Sequence, residues 1–347
     1  MHKDGGFPLD DPEVVARYRR AGKSIIKQIG RSIFSGSFNL GSVSFPIDCM
    51  SHKSMVYLLA TQAIHAPLYL TAANFADDPI ERMKYVIVTS LSFIHPVHMW
   101  DKPLNPILGE TLQGTYLDGS RVYMEQITHH PPVSYFYFEG PQKMYRFYAY
   151  TDFAAMPRMN SVNVKQSGMK VVEFGDGTVI KFTPLQDVFN NTLFGTMIHM
   201  CTGTITFVDE KNGLTAWYTI GEAGKKYAKD YFKGEIKRGD QVVSRLFGSY
   251  MGYIEFDGRR YWDERRQTNY GIQGLLLDRA LQSDWRHRPD TIKHQEGEME
   301  AAQENKDMLE NRQRADRRLR EAADKRRAAG GPKYDYSGYP DHPLNPS

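Results

Sequence analysis

Glu125-Gln-Ile-Thr-His-His-Pro-Pro132 is the stretch whose reading decides the fold. It joins two runs with strand chemistry, the alternating Arg121-Val-Tyr-Met124 before it and Val133-Ser-Tyr-Phe-Tyr-Phe138 after it. Pro131 disfavours helix at His130, and Pro132 does the same to Pro131, so the segment is expected to be extended. Two adjacent histidines therefore fall at a strand end or sheet rim, where side chains escape close packing. Imidazoles titrate near neutrality and become cationic beside an anion, which suits phosphate binding. The plainer reading of His129 and His130 is a tight turn with one imidazole buried and the other exposed.

Outward from this stretch the pattern is β from Thr111 to about Asp263. Tyr145-Arg-Phe-Tyr-Ala-Tyr150, Thr202-Gly-Thr-Ile-Thr-Phe-Val208 and Thr215-Ala-Trp-Tyr-Thr-Ile220 are examples. Asp118-Gly119, Asp176-Gly177, Asn212-Gly213 and Asp257-Gly258 supply hairpin turns between such runs. Successive hairpins at this density make an antiparallel meander, and closing it into a barrel removes vulnerable edges. A barrel of this many strands is too wide for its own side chains to fill, so an internal apolar cavity is expected.

On the N-terminal side, Lys102-Pro-Leu-Asn-Pro-Ile-Leu-Gly-Glu110 holds two prolines and a glycine, which argues for a shaped loop presenting Lys102 and Asn105 on a stiff backbone. Before it, Lys53 to Phe75 is helical in period. Pro79 to Ile94 is a second helix, with Asp77, Asp78 and Glu81 as cap and first-turn acids. Asp11-Pro12 starts an earlier helix whose apolar residues, Val14 to Ile33, recur at helical spacing among arginines and lysines. Its almost wholly basic polar face suits a lid or a membrane-interface helix as well as an ordinary surface helix. On the C-terminal side, Glu296 to Ala329 is rich in helix formers and ends at Gly330-Gly331-Pro332. Lys306, Glu310 and Arg314 are spaced four apart and share one face of that helix.

Composition sets the outer bounds. The chain has 347 residues, an apolar fraction of 41%, 21 Tyr and 18 Phe, enough for a large core or a lined cavity. Its formal net charge is only +3, so attraction to a membrane or to nucleic acid must come from local patches. The lysine- and aromatic-rich run Gly221 to Lys237 is such a patch, but no nucleic-acid module surrounds it, and it reads as a solvated strand pair. Cys49 and Cys201 are far apart and lack metal-ligand spacing, which fits a reducing compartment. With no long apolar run and no signal-like N-terminus, the expectation is a soluble, cytoplasmic protein without metal or cofactor.

Three of these segments together carry a resemblance. EQ-x-x-HHPP at 125–132, KPLNP-x-LGE at 102–110 and K-x-x-L-E-x-x-Q-R at 306–314 resemble signatures of the oxysterol-binding protein family; Ser283-Asp-Trp-Arg-His-Arg-Pro-Asp290 is similar to the segment before that family's C-terminal helices. The resemblance implies an α+β, β-dominated fold: a large incomplete antiparallel β-barrel around a hydrophobic lipid tunnel, with an N-terminal lid and helical layer and C-terminal helices. It implies one lipid-binding domain over 1–347, divided into a lid or amphipathic helix (1–39), a helical layer (40–100), the barrel (101–270) and a C-terminal helical region (271–347). It also implies that Lys102, Asn105, His129, His130, Lys306, Glu310 and Arg314 hold the headgroup of phosphatidylinositol 4-phosphate. The second cargo would be a sterol or phosphatidylserine, exchanged between membranes without covalent chemistry by a protein peripherally associated with anionic surfaces at endoplasmic reticulum, Golgi or plasma-membrane contacts.

Two rival functions use the same residues. A phosphoinositide-binding adaptor would bind without transfer. A lipid hydrolase or phosphatase would use His129, His130 and Glu125 as acid, base or ligands. Against the enzyme, adjacent histidines on extended chain point in opposite directions. The sequence also has no G-x-S-x-G elbow, H-E-x-x-H or cysteine phosphatase loop.

Overall fold

Hairpin chemistry dictates most of the architecture. The computed structural model of the chain describes residues 2–29, 45–98, 100–129, 132–266, 271–274 and 278–330. Its strands are β1 (Phe7–Leu9), β2 (Met50–Ser54), β3 (Lys102–Leu104), β4 (Thr111–Tyr116), β5 (Arg121–His129), β6 (Pro132–Glu139), β7 (Tyr145–Pro157), β8 (Ser161–Ser167) and β9 (Lys170–Phe174). They continue as β10 (Val179–Phe182), β11 (Gln186–Asn190), β12 (Met197–Asp209), β13 (Leu214–Ile220), β14 (Tyr231–Arg238), β15 (Gln241–Ser249), β16 (Tyr253–Phe256), β17 (Arg259–Asp263) and β18 (Ile272–Gly274). The helices are α1 (Pro12–Ile29), α2 (Met55–Gln62), α3 (Ala66–Phe75), α4 (Pro79–Ser92), α5 (Ile94–Val97), α6 (Pro289–Gln295) and α7 (Met299–Ala328).

Among the described residues one sheet holds 16 strands, running β17-β16-β15-β14-β13-β12-β10-β9-β7-β6-β5-β4-β18. Its two ends do not pair with each other, so the barrel is incomplete, as the resemblance implies. The anticipated turns are present: Gly119, Gly177, Gly213 and Gly258 all have positive φ, and Asp257 joins Gly258 there (φ 51°). Two positive φ values in succession are what a tight hairpin with the native strand twist requires. The wall divides between β7 and β12. One branch runs through β9 and β10, the other through β8 and β11, because β7 and β12 are each 13 residues long and pair with different partners along their length.

Helices α2, α3 and α4 pack on the buried face of this sheet in one core. Inward positions alternate along β5, where Val122, Met124 and Gln126 are buried. Phe182 stacks on Phe207 (5.1 Å) and Phe207 meets Tyr218 (5.9 Å), all three buried. Such rings occupy much of the interior. A partly open cavity beside the divided wall has a volume of about 40 Å³, and its lining mixes Phe93, Ile94 and Phe182 with Gln166, Lys170 and Asp187.

Several local expectations hold and others change. Asp11 caps α1, its Oδ1 accepting from the N–H groups of Glu13 (2.9 Å) and Val14 (3.2 Å); the expected continuation to Ile33 lies outside the described residues. Asp78 caps α4. The single helix expected over Lys53–Phe75 is instead the end of β2 followed by α2, a 3-10 turn and α3. Pro67, in the first turn of α3, cannot donate the backbone bond that a continuous helix would need. The expected loop at Lys102 begins with a strand, β3, which pairs parallel with β2 in a separate two-stranded sheet; Pro103 is tolerated there because a two-stranded ribbon is all edge. The Gly221–Lys237 run is a loop followed by β14 in mid-sheet, where Tyr227 and Tyr231 pack on Phe247 (5.0 and 5.8 Å).

Phe207→Ala is expected to lower the unfolding free energy by about 3–5 kcal/mol, because the stacked rings around it cannot collapse into the space. Urea denaturation followed by circular dichroism measures this. A loss below about 1 kcal/mol would show that these rings repack freely.

Candidate functional site

A small second core places the site. Ile47, Met50, Leu104 and Ala302 pack together and are buried, with Phe45 against them. This joins β2, β3 and the first turns of α7. The N–H of Ile47 also donates to Gln303 Oε1 (3.0 Å). Lys102 lies two residues before Leu104, and Lys306 one helical turn after Ala302, so packing of apolar neighbours brings two lysines together. Lys306 is 4% exposed.

Glu310 sits among the cations. Lys306 Nζ lies 2.9 Å from Glu310 Oε1, and Arg314 Nη2 lies 3.0 Å from Glu310 Oε2. Lys102 donates from Nζ to Asn105 Oδ1 (2.8 Å), and its ammonium lies 5.2 Å from the Phe45 ring centroid. Burial, then the Lys306 ammonium, lowers the Lys102 pKa to about 8, with Glu310 acting in the opposite direction. Positive charge held in a half-buried space is short of anions, and that is the electrostatic character of an anion-binding site.

The loop after β3 ties this corner to the histidine strand. Gly109 N–H donates to Gln126 O and Gln126 N–H donates to Glu110 O, both at 2.9 Å, so the loop continues the sheet beside β5. A bulge between Gln126 and Thr128 follows, and β5 ends at His129, opposite Pro132. Leu108 N–H donates to Gln313 Oε1 (3.0 Å), fixing the other side of the loop to α7. Lys102, Asn105, Lys306, Glu310 and Arg314 thus form one cluster, and His129 lies three residues along β5 from Gln126, to which the loop bonds. His130 lies outside the described residues.

Residues with no assigned role in the sequence reading hold the corner rigid. Arg288 is buried and donates from Nη1 to Glu110 Oε2 (2.8 Å) and to Asn105 O (2.8 Å), and from Nη2 to Asp290 Oδ2 (2.6 Å). Ser54 Oγ donates to the other oxygen of Glu110. Burial raises the Glu110 pKa, with Arg288 and Ser54 opposing; burial works to lower that of Arg288, but Glu110 and Asp290 together outweigh it and raise it. The acidic end of KPLNP-x-LGE and the Arg-Pro-Asp of 288–290 were both visible as motifs, but their pairing across 178 positions was not.

The oxysterol-binding protein family model matches residues 31–334, most of the chain. The chain belongs to the oxysterol-binding protein family. Oxysterol-binding protein 9 of Dictyostelium discoideum is 30% identical over 339 residues, an alignment that covers 90% of this chain and 78% of that relative. Among solved structures, the Osh1 ORD domain in complex with cholesterol superposes with a TM-score of 0.75 at 19% identity, covering 96% of this chain and 85% of that one. The Osh3 ORD of Saccharomyces cerevisiae in complex with PI(4)P superposes with a TM-score of 0.72 at 19% identity, covering 92% and 88%. These superpositions place the family member's fold among ORD domains. No helix among the described residues is long and apolar enough to cross a membrane.

Two predictions follow from the geometry of the corner. Arg288→Ala leaves Glu110 and Asp290 buried without their cation, and is expected to cost about 3–5 kcal/mol in urea denaturation at neutral pH. Lys102 concerns pH. Its folded pKa of about 8 lies below the ordinary value of about 10.4, so the unfolded chain binds more protons between these limits and stability should rise with pH across that window. Lys102→Met should flatten this rise in urea midpoints measured between the two limits. An unchanged rise in the variant would assign it to other groups.

Proposed function

We propose that this protein extracts phosphatidylinositol 4-phosphate from a membrane and exchanges it for a sterol, or for another lipid such as phosphatidylserine, without covalent chemistry. The observation that carries the reading is the convergence of Lys102 of β3 with Lys306 and Arg314 of α7 around Glu310, beside a loop that extends the His129 strand. Two lysines and an arginine give charge-assisted bonds to phosphate, and His129 and His130 add imidazoles that gain a proton near an anion. Glu310 offsets part of the charge when no headgroup is present and accepts from inositol hydroxyls when one is. The PI(4)P and cholesterol complexes of the two similar ORD domains support these cargo classes.

The acyl chains or the sterol would occupy the barrel interior. α1 is tied to the same corner: Arg17 Nη2 and the Tyr18 hydroxyl both donate to Asp101 Oδ1 (3.0 and 2.5 Å), next to Lys102. A lid role for residues 1–39 fits that position. Peripheral contact with anionic membranes from the cytoplasmic side fits the basic face of α1 and Lys325, Arg326 and Arg327 in the last turn of α7. One rival reading is a phosphoinositide-binding adaptor that does not carry lipid between membranes.

Changing His129 and His130 together to Ala is expected to cost roughly 1.5–3 kcal/mol per lost charge-assisted bond, removing most extraction of phosphatidylinositol 4-phosphate from liposomes. Lys306→Ala and Arg314→Ala should weaken phosphoinositide loading far more than loading of a neutral sterol. Equal losses for both cargos would reduce α7 to a structural support. Wild-type headgroup affinity should hold up to about pH 8 and decline above it as Lys102 loses its proton. Binding with no transfer between donor and acceptor liposomes would select the adaptor.

A further inference from the structure

A second cluster of donors lies away from the headgroup corner, where the sheet divides. Asp187 of β11 and Cys201 of β12 are register partners, and His199 lies two residues from Cys201 on the same face of β12. Asp187 Oδ1 is 2.9 Å from His199 Nε2 and 3.4 Å from Cys201 Sγ, and the three donor atoms all lie within 4.8 Å of one another. His199 and Cys201 are buried and Asp187 is half-buried. Phe189, the register partner of His199, stacks on its ring at 4.5 Å. From the far side, His98 Nδ1 meets His199 Nδ1 at 2.9 Å, and Phe7 of β1 stacks on His98 at 3.9 Å. The headgroup chemistry uses none of these residues.

We propose that Asp187, His199 and Cys201 form a binding site for a divalent ion of the zinc class, with His98 as the outer partner that orients His199. Zinc takes sulfur at about 2.3 Å and nitrogen or oxygen at about 2.0–2.2 Å, so tetrahedral donors stand about 3.3–3.6 Å apart. The Asp187–His199 and Asp187–Cys201 separations of 2.9 and 3.4 Å need adjustments of only a few tenths of an ångström, and His199 and Cys201 close to the same spacing from within 4.8 Å. A mixed thiolate, imidazole and carboxylate set suits zinc or cobalt better than magnesium or calcium, which prefer oxygen alone. The His98 contact matches the arrangement in which a ligating histidine hands its other N–H to a neighbour. Asp187 and Cys201 both line the cavity of about 40 Å³, which has room for a water at the fourth position.

The proton balance is simple. Without metal, a chain of hydrogen bonds runs from His98 to His199, with His199 Nε2–H and the Cys201 thiol both donating to Asp187. On binding, the thiol proton leaves to solvent. The His199 proton shifts from Nε2 to Nδ1, where it is donated to His98 Nδ1, and the His98 proton moves to its Nε2. One proton is released for each ion bound, and no oxidant or reductant is required. The bound ion would pin β11 to β12 and so fix one branch of the divided wall.

Cobalt(II) titration of the full chain tests this. The expected result is one equivalent bound, with a thiolate-to-cobalt absorption in the near ultraviolet that zinc abolishes. Zinc should also raise the melting temperature. Cys201→Ser should remove the absorption, while Cys49→Ser keeps it. His199→Gln serves as a second ligand variant should Cys201→Ser fail to fold, and it should also lose tight binding. His98→Ala should keep the absorption but weaken affinity about 10–100-fold. No thiolate absorption in excess cobalt, or an absorption that survives both Cys201→Ser and His199→Gln, overturns the assignment.

Discussion

A single buried guanidinium holds the functional corner together. Arg288 bonds to Glu110, to Asp290 and to the backbone carbonyl of Asn105, and so ties the segment before α6 to the loop that follows Lys102. Burying ions carries a heavy desolvation cost, and such a pair offsets it only when the remaining donors and acceptors are also satisfied. Here they are: Ser54 donates to one Glu110 oxygen, the Ile107 N–H donates to the other, and the Asp290 carboxylate receives two bonds from Arg288. The arrangement fixes a geometry as well as a distance, because the planar fork of arginine matches carboxylate oxygens in only a few orientations.

What that geometry secures is an unfavourable neighbourhood. Burial lowers the Lys102 pKa, and repulsion from the Lys306 ammonium lowers it further. The two lysines stay close because Leu104 and Ala302, their neighbours in sequence, share a small apolar core. Repulsion is thus held in place by packing and partly relieved by Glu310. A ligand that brings negative charge finds its cations already assembled, so little ordering is required when it binds. The β5 bulge after Gln126 then sets where the histidine strand ends relative to this group.

Much of this was legible in the sequence, for local reasons. The Asp-Gly and Asn-Gly pairs fix hairpins because few residues accept positive φ, Asp11-Pro12 fixes a helix start, and i,i+4 spacing puts Lys306, Glu310 and Arg314 on one face whatever the rest of the chain does. The family motifs then supplied the long-range grouping that spacing alone could not. What stayed hidden depends on contacts between distant segments. β1 is three residues long with Pro8 at its centre, and only pairing with β12 makes it a strand. The β2–β3 ribbon depends on parallel pairing across about fifty residues, to which no local signal corresponds. The rings that stack in the core, such as Phe182, Phe207 and Tyr218, come from separate strands that local sequence does not bring together. His98, Asp187, His199 and Cys201 meet only because the sheet divides, and Cys201 has no cysteine partner nearby in sequence to advertise it.

The unclosed sheet has a further consequence, for the behaviour of many copies in solution. An exposed strand edge presents unpaired N–H and C=O groups to which another chain can add. At one end of this sheet the terminal strand, β18, is only three residues long. At the other, β17 begins with Arg259 and Arg260, both exposed, and α4 reaches its middle through Glu81, which accepts from the Tyr261 hydroxyl. Brevity at one margin, and charge with a helix cover at the other, do what a closing strand does in a full barrel. Among the described residues, both margins of the gap are thus guarded against strand addition.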